Sequence, residues 1–157
     1  MSTDAGILVI VADNRGLNRI FLPPHQQGEK DLLREDKNHK HPVIADTIKQ
    51  LGEYFRKKRE HFNLPISPVG TNFQHAVWQL ISTIPYGKTA SYGSLAEIIG
   101  DRNKARAVGG AAHHNPLPII IPCHRLIGIN GQLTGFAGGL EMKKLLLKLE
   151  GHLPTCQ

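Results

Sequence analysis

A stretch at Asn63–Gly70 that holds Pro65, Pro68 and Gly70 does most to restrict the fold of this chain. Proline ends helices and is kept out of central strands, and glycine adds a further break, so the stretch reads as a linker. Directly after it stands Thr71-x-x-Gln74, a capping box. In that motif the threonine oxygen accepts a backbone N–H three residues on, and the glutamine reaches back to the threonine N–H. A break followed by a helix start divides the chain. At 157 residues it has room for one domain or two small ones, and the break favours two, 1–66 and 67–157.

In the first piece, Ile7–Ala12 and Leu17–Leu22 are β-rich runs on either side of Asp13-Asn14-Arg15-Gly16, a hairpin pattern. Residues 23–42 are polar and read as a connection, with a short helix at Lys30–Glu35. His25, His39 and His41 fall there without cysteine partners, which gives little support to zinc. From Val43 to Phe62, Ile44, Ile48, Leu51 and Phe55 recur at helical spacing. Lys57, Lys58 and Arg59 are expected to end that helix, where cations suit its dipole.

The second piece is mainly helical. Its first helix runs from Asn72 to about Ile84, with Phe73, Val77, Leu80 and Ile81 on the apolar face. Pro85-Tyr86-Gly87 is a turn. Ser91 caps a helix over Tyr92–Ile99, expected to be buried through Leu95, Ile98 and Ile99. After Gly100-Asp101-Arg102 another helix spans Asn103 to His114, closed by Asn115-Pro116. These two helices have the outline of a helix-turn-helix. The second contains Ala105-Arg106-Ala107-Val108-Gly109-Gly110-Ala111-Ala112. Each mid-helix glycine costs roughly 1 kcal/mol relative to alanine. Close approach of another surface would justify that cost, either a neighbouring helix or a DNA groove. Arg106 is the one long side chain among small ones, which suits insertion into a duplex. A final helix, Leu140–Glu150, presents Met142, Leu145, Leu146 and Leu149, with Gly151 as its stop.

Between those helices lies Ile119-Ile120-Ile121-Pro122-Cys123-His124-Arg125. The isoleucines read as a buried strand end. A thiol is a strong nucleophile only as thiolate, and an adjacent base supplies that state. Glu150 is a candidate to hold the His124 ring, and a solvated helix end is the alternative. Only two cysteines occur, the other being Cys156, so a disulfide framework is not expected and a reducing compartment is. Neither a nucleotide loop nor paired zinc-ligand spacing is present. No apolar run reaches the ~18 residues of a membrane span, and no leader peptide is read at the start.

Net charge is +6, and residues 71–157 carry 8 Lys/Arg against 4 Asp/Glu. That excess suits a polyanionic partner, with Lys88, Arg102, Lys104 and Arg125 as candidates for phosphate contact. The residues alone leave three readings open: a thiol that accepts a group from DNA, a cysteine hydrolase, and a DNA-binding module whose cysteine is idle.

Together these blocks resemble the O6-alkylguanine-DNA alkyltransferases over residues 71–151. The resemblance rests on Ile121-Pro122-Cys123-His124-Arg125, Ser91-Tyr92, Arg106-Ala107-Val108-Gly109-Gly110-Ala111 and Asn115-Pro116. Gly135-Phe136-Ala137-Gly138-Gly139 and Leu146-Leu147-x-x-Glu150-Gly151 complete it. It implies an α+β protein: a small ribonuclease-H-like sheet with a helix, then a mainly helical domain with a helix-turn-helix. The first 70 residues match weakly, and the short start implies a reduced edge strand. Some relatives hold a structural zinc through N-terminal Cys and His. This chain has no cysteine there, so none is expected.

The resemblance also implies roles. Cys123 is the alkyl acceptor, His124 the base acting through a water, Glu150 its orienting partner, and Asn115 a hinge residue supporting that network. Tyr92 rotates the target phosphate and bonds guanine N3. Arg106 fills the hole left by the flipped base. Its helix enters the minor groove with Ala105, Ala107, Gly109 and Gly110 against the duplex and Lys104 and Arg125 nearby. The Ala137 amide donates to O6, and the carbonyls of Cys123 and Leu126 accept the exocyclic amine. Small residues at Ala112, Pro118, Ala137 and Gly138 are expected to leave a pocket roomy enough for alkyl groups larger than methyl. The implied activity is irreversible, one-time transfer from O6-alkylguanine, and from O4-alkylthymine, in duplex DNA. No cofactor is expected. The expected form is a monomer, cooperative assembly on DNA being open, placed in the cytoplasm of a prokaryote or the nucleus of a eukaryote.

Overall fold

The computed structural model describes residues 1–24 and 41–152. The helix expected at Lys30–Glu35, with His25, His39 and Cys156, lies outside them. The chain forms two compact units, Met1–Val69 and Gly70–Gln157. Among the described residues no helix is long and apolar enough to cross a membrane.

The first unit opens with a small antiparallel pair, β1 (Ser2–Thr3) and β2 (Gly6–Ile7), too short to leave an alternating pattern. The expected hairpin follows as β3 (Val9–Asp13) and β4 (Gly16–Phe21). Its turn is set by Asp13, whose Oδ1 accepts the Arg15 N–H at 2.8 Å. Leu8, Val9, Leu17, Ile20 and Leu22 are buried.

Helix α1 (Pro42–Phe55) places proline in its first turn, where the missing N–H costs nothing. It buries Thr47, Leu51 and Tyr54, one helical stripe, while Ile44, Ile48 and Phe55 are only half-buried. It stops well before Phe62. Lys57 turns left-handed at φ 57°, and the N–H groups of Lys57 and Lys58 close the end on the carbonyls of Tyr54 and Glu53. Arg59 then folds back to bond Glu53 at 2.7 Å, so these cations lie beyond the helix rather than in its last turn.

The expected linker is half sheet. Asn63 exchanges two hydrogen bonds with the Gln50 side chain, at 2.9 and 2.8 Å. The Leu17 N–H donates to the Pro65 carbonyl, and the Ser67 N–H to the Leu17 carbonyl, both at 2.8 Å. The segment runs parallel to β4 at Ile66. An edge position asks nothing of the proline nitrogens, so Pro65 and Pro68 are compatible with it.

In the second unit α2 (Asn72–Ser82) begins with the capping box, both reciprocal bonds being present. Its buried residues are Val77, Trp78 and Ile81, and the Trp78 indole N–H donates to the Ala111 carbonyl at 2.8 Å. Strand β5 (Ala90–Ser91) leads into α3 (Tyr92–Ile99), capped by the Ser91 hydroxyl. Leu95 and Ala96 are buried, but Ile98 is 67% exposed, against expectation. Ile98 stands three residues on from Leu95, at the edge of the buried stripe, and Ile99 is half-buried. Gly100 ends α3 in the left-handed region. A 3-10 turn at Arg102–Lys104 precedes α4 (Ala105–His113), which therefore starts later than Asn103.

The three isoleucines are buried or nearly so, yet form a turn instead of a strand. Pro118 bridges Ile121, the Ile121 N–H donates to the Leu117 carbonyl at 2.8 Å, and Ile119 sits at φ 77°. A β-branched residue there stores strain, on the order of 1–3 kcal/mol. Flanking prolines and Asn115, whose Oδ1 takes the Leu117 N–H at 2.9 Å, override the β preference of isoleucine. A 3-10 turn (Cys123–Arg125) runs into β6 (Leu126–Ile127), which pairs parallel with β5. Helix α5 (Gly139–Leu149) buries Met142, Lys143, Leu146 and Leu147, with Leu145 and Leu149 only half-buried. Its buried face is thus rotated from the expected one and includes a lysine.

Candidate active site

The strained turn after α4 delivers Cys123 and Asn115 together. The Asn115 Nδ2 donates to the Ile121 carbonyl at 2.8 Å and to the Cys123 sulfur at 3.1 Å. With Oδ1 on Leu117, the whole amide is used and its orientation is determined. Cys123 is a free thiol, 6% exposed. Burial pushes it above its ordinary pKa, while the Asn115 bond and the Lys143 charge pull the other way.

The next two residues point into the domain. His124 is fully buried, and its Nε2 meets Glu150 Oε1 at 2.8 Å. Arg125 Nε and Nη2 donate to the two Glu150 oxygens at 2.9 and 3.0 Å. Arg125 Nη1 donates to the Ile84 carbonyl at 2.6 Å. The Gly87 N–H adds a fourth donor to Glu150, at 3.1 Å. Gly87 sits at φ 71°, and a Cβ there would lie 2.8 Å from the Glu150 carbonyl oxygen, so only glycine fits.

Burial alone would raise the Glu150 pKa. The bonds from His124 and Arg125 outweigh it and bring the carboxyl down to about 2. Burial lowers the His124 pKa, with Glu150 opposing, which keeps the imidazole neutral. A neutral ring beside an ionised carboxylate must donate from Nε2, so Nδ1 carries the lone pair. That Nδ1 is buried and has no hydrogen-bond partner among the described residues. The cluster thus holds a base in one tautomer next to a thiol that needs one.

Above the thiol lies a cavity of about 390 Å³, at the small end of ligand-sized pockets. Tyr92 and Ala105, Arg106, Gly109, Ala112 and His113 of α4 line it with Cys123 and the loop Thr134–Ala137. Pro118 and Leu126 are buried, Gly138 caps the start of α5, and none of the three is among these lining residues. Thr134 Oγ1 donates to the Tyr92 hydroxyl at 3.2 Å.

Helix α4 presents Arg106, Ala107 and Gly110 to solvent, with Lys104 exposed just before them. A Cβ on Gly110 would meet nothing within 4 Å, and one on Gly109 only the Tyr92 ring at 3.7 Å. Packing on a neighbouring helix therefore does not account for Gly110. Lys88 is exposed, while Arg102 is exposed but paired with Glu97 at 3.1 Å. Arg125 departs most from expectation. It is 5% exposed and committed to Glu150, so it does not reach a phosphate. Its cation neutralises a carboxylate that burial would otherwise protonate.

Sequence reasoning missed Lys143, Thr134 and His113, and named Phe136 only within the Gly135–Gly139 block, without a role. Thr134, Phe136 and His113 all line the cavity. Lys143 is fully buried and donates from Nζ to the Thr134 carbonyl at 2.8 Å. Its spacing to Leu146 and Leu147, an apolar face on α5, was the available signal.

The fold and site define a class: a helix-turn-helix unit whose second helix walls a cavity over a buried thiol backed by a histidine–carboxylate pair. Comparison with known proteins sharpens it. The 6-O-methylguanine DNA methyltransferase DNA-binding domain matches residues 72–152, and the ribonuclease-like domain of the same family matches residues 1–68. The chain belongs to the 6-O-methylguanine DNA methyltransferase family. It is 40% identical over 147 residues to the methylated-DNA–protein-cysteine methyltransferase of Methanosarcina acetivorans, covering 93% of this chain and 92% of the relative. The constitutive enzyme of that name from Bacillus subtilis is 41% identical over 150 residues, with 94% and 91% covered. Among solved structures, Mycobacterium tuberculosis O6-methylguanine methyltransferase superposes with TM-score 0.85 at 35% identity, over 99% of this chain and 93% of its own. The Mycobacterium tuberculosis OGT in complex with DNA superposes at 0.82, also at 35% identity and the same coverage.

Proposed function

We propose that this protein repairs DNA by direct reversal, as a methylated-DNA–protein-cysteine methyltransferase that moves an alkyl group from guanine O6 to Cys123 and reacts once. The observation that carries the reading is the thiol itself, buried on the floor of a cavity whose wall is the second helix of a helix-turn-helix. His124, its tautomer set by Glu150, takes the thiol proton at Nδ1 through one water. The sulfur attacks the alkyl carbon, the carbon–O6 bond breaks, and guanine leaves with the electron pair. Tyr92 donates to guanine N3 and the Ala137 amide to O6, stabilising the charge that develops there. The thioether has no leaving path, so turnover ends.

A base inside a duplex is out of reach of a recessed sulfur, so the nucleotide must flip, at a cost of a few kcal/mol. Arg106, the exposed long side chain at the cavity rim, fills the gap in the stack. Ala107 and Gly110 let α4 press into the minor groove, and Lys104 meets a phosphate. In Arg106→Ala, repair of alkylated duplex is expected to slow by 10-fold or more, while reaction with free O6-alkylguanine stays within about twofold. Single-turnover kinetics on both substrates check this, and equal slowing would remove the role.

The decisive experiment is mass spectrometry after incubation with duplex containing O6-methylguanine. A Cys123 peptide heavier by one methyl group, formed in a burst equal to the protein present, is expected. Repeated turnover would favour a cysteine hydrolase, and binding with an unmodified thiol would favour a lesion-binding module.

A further inference from the structure

Alkyl transfer gives no task to the cations at the end of α1. Residues 1–70 are nearly balanced in charge, yet residues 49–60 carry five Lys/Arg against two Glu. Lys49, Arg56, Lys57 and Lys58 are exposed, and among the described residues none of their side chains has a hydrogen bond or an ion pair. Arg59 differs, bonding Glu53 at 2.7 Å and the His61 carbonyl at 2.8 Å. The Arg59 bond, helped by the charges of Lys49 and Arg56, holds the Glu53 carboxyl below its ordinary range. One carboxylate therefore serves three cations, and Lys57 and Lys58 have none.

Helix capping does not account for these side chains. α1 closes in a Schellman motif, with the Lys58 N–H on the Glu53 carbonyl at 2.8 Å and the Lys57 N–H on the Tyr54 carbonyl at 2.9 Å. The Arg56 N–H takes the Gly52 carbonyl at 3.2 Å, so the backbone itself satisfies the end of the helix. Lys57 holds the left-handed position at φ 57°, where glycine is the usual residue and a Cβ is unfavourable. Stability alone gives no reason for a lysine there. The Arg56 guanidinium turns back over the helix, and a Cβ on Gly52 would stand 3.3 Å from its Nη1. Gly52 is buried within α1, where glycine weakens a helix, and its bare surface leaves that seat open. The turn thus fixes the backbone under three successive cations whose donors face no protein acceptor.

We propose that Arg56, Lys57 and Lys58, flanked by Lys49, form a DNA-binding surface on the first unit that takes the phosphate backbone of duplex without regard to sequence or damage. The donors suit that partner: a guanidinium fork matches two phosphate oxygens, and an ammonium meets phosphate as a point charge. Duplex supplies such groups densely, one negative charge per ~1.7 Å of its axis. The inference rests on the alkyl-transfer reading for its purpose. A protein that reacts once has to search long tracts of undamaged DNA, and contacts that ignore sequence let it slide and hop along them.

The test is a variant that combines Arg56→Gln, Lys57→Asn and Lys58→Gln, asparagine being tolerant of the left-handed backbone. Binding to an undamaged duplex of about 30 base pairs is followed by fluorescence anisotropy over roughly 50 to 200 mM salt. At the lowest salt the variant is expected to bind about tenfold more weakly, and its slope of log affinity against log salt to be shallower by about two. A melting temperature close to that of the wild type shows that it folds. Unchanged affinity and slope in the folded variant overturn the surface. Unchanged duplex affinity with lost binding to phosphatidylserine vesicles also overturns it, by making the partner a lipid surface. If the combined variant does not fold, Lys58→Glu decides the matter, since it alters one exposed side chain. It is expected to weaken duplex binding about fivefold at the lowest salt and to reduce the slope by about one, and no change overturns the surface. Duplex binding needs no acceptor thiol, so an unalkylated Cys123 after exposure to damaged duplex would sink the functional reading while leaving this surface to its own test.

Discussion

Cys123→Ala should abolish alkyl transfer completely while the protein still binds alkylated duplex. The first half follows from chemistry, since among the described residues no other sulfur is placed at the cavity. The second follows from how little the thiol does for the fold. Its sulfur accepts one hydrogen bond, from Asn115. That amide keeps its bonds to the Ile121 carbonyl and the Leu117 N–H, so the turn stays tied. The loss of one buried sulfur falls in the common range of about 0.5–3 kcal/mol for a point change. The proposed binding surface, Arg106, Ala107 and Gly110 on α4, is untouched. Transfer of a labelled methyl group and a gel shift on the same duplex read the two halves. Residual transfer in the variant would move the acceptor elsewhere, Cys156 being the other thiol in the chain. Loss of binding together with transfer would mean that the sulfur supports the fold.

Much of this molecule is legible in its amino-acid sequence, and what is not has physical causes. The capping box at Thr71 and the hairpin turn at Asp13 are local, so their signals are complete within four residues. The helix-turn-helix is readable from its caps, Ser91 at one start and Gly100 at one end. The Ile119–Ile121 turn is not, because its shape is imposed by an asparagine side chain and two prolines that outvote isoleucine. The rotation of α5 is hidden by Lys143, a charge that belongs on a surface unless something buried requires it. Arg125 is misplaced for the same reason. Its partner, Glu150, is far along the chain, and no spacing rule connects a 3-10 turn with the end of a helix. Strands β5 and β6, two residues each, are too short for periodicity. Local chemistry can be read at the positions named for the thiol and its base. The long-range contacts that hold them leave no such mark.

Glu150→Ala should be the most destabilising single substitution in the site, by about 3–5 kcal/mol, the usual cost of removing one partner from a buried ion pair. Three residues lose their acceptor at once, with four donor atoms among them: the His124 ring, the Arg125 guanidinium and the Gly87 N–H. A fall in melting temperature on the order of 10 °C is expected. Glu150→Gln separates stability from chemistry. It keeps the volume and one carbonyl oxygen, so much of the fold survives, but a neutral amide no longer compels His124 to hold its proton on Nε2. Loss of that control costs up to ~10⁴ in the serine-protease triad, and transfer should fall by at least 100-fold here. The pH dependence has a definite sign. The Glu150 pKa is lowered to about 2 in the folded chain from an ordinary 4.5. Its contribution to stability is therefore complete above about pH 4.5 and lost as pH falls toward 2. The lowered His124 pKa acts in the same direction below its ordinary 6.5. Unfolding followed between pH 7 and 3 should show the wild type losing stability that Glu150→Gln does not have to lose. If the two curves run parallel, the Glu150 pKa is the same in the folded and unfolded chain, and the ion-paired carboxylate that holds the imidazole in one tautomer does not exist.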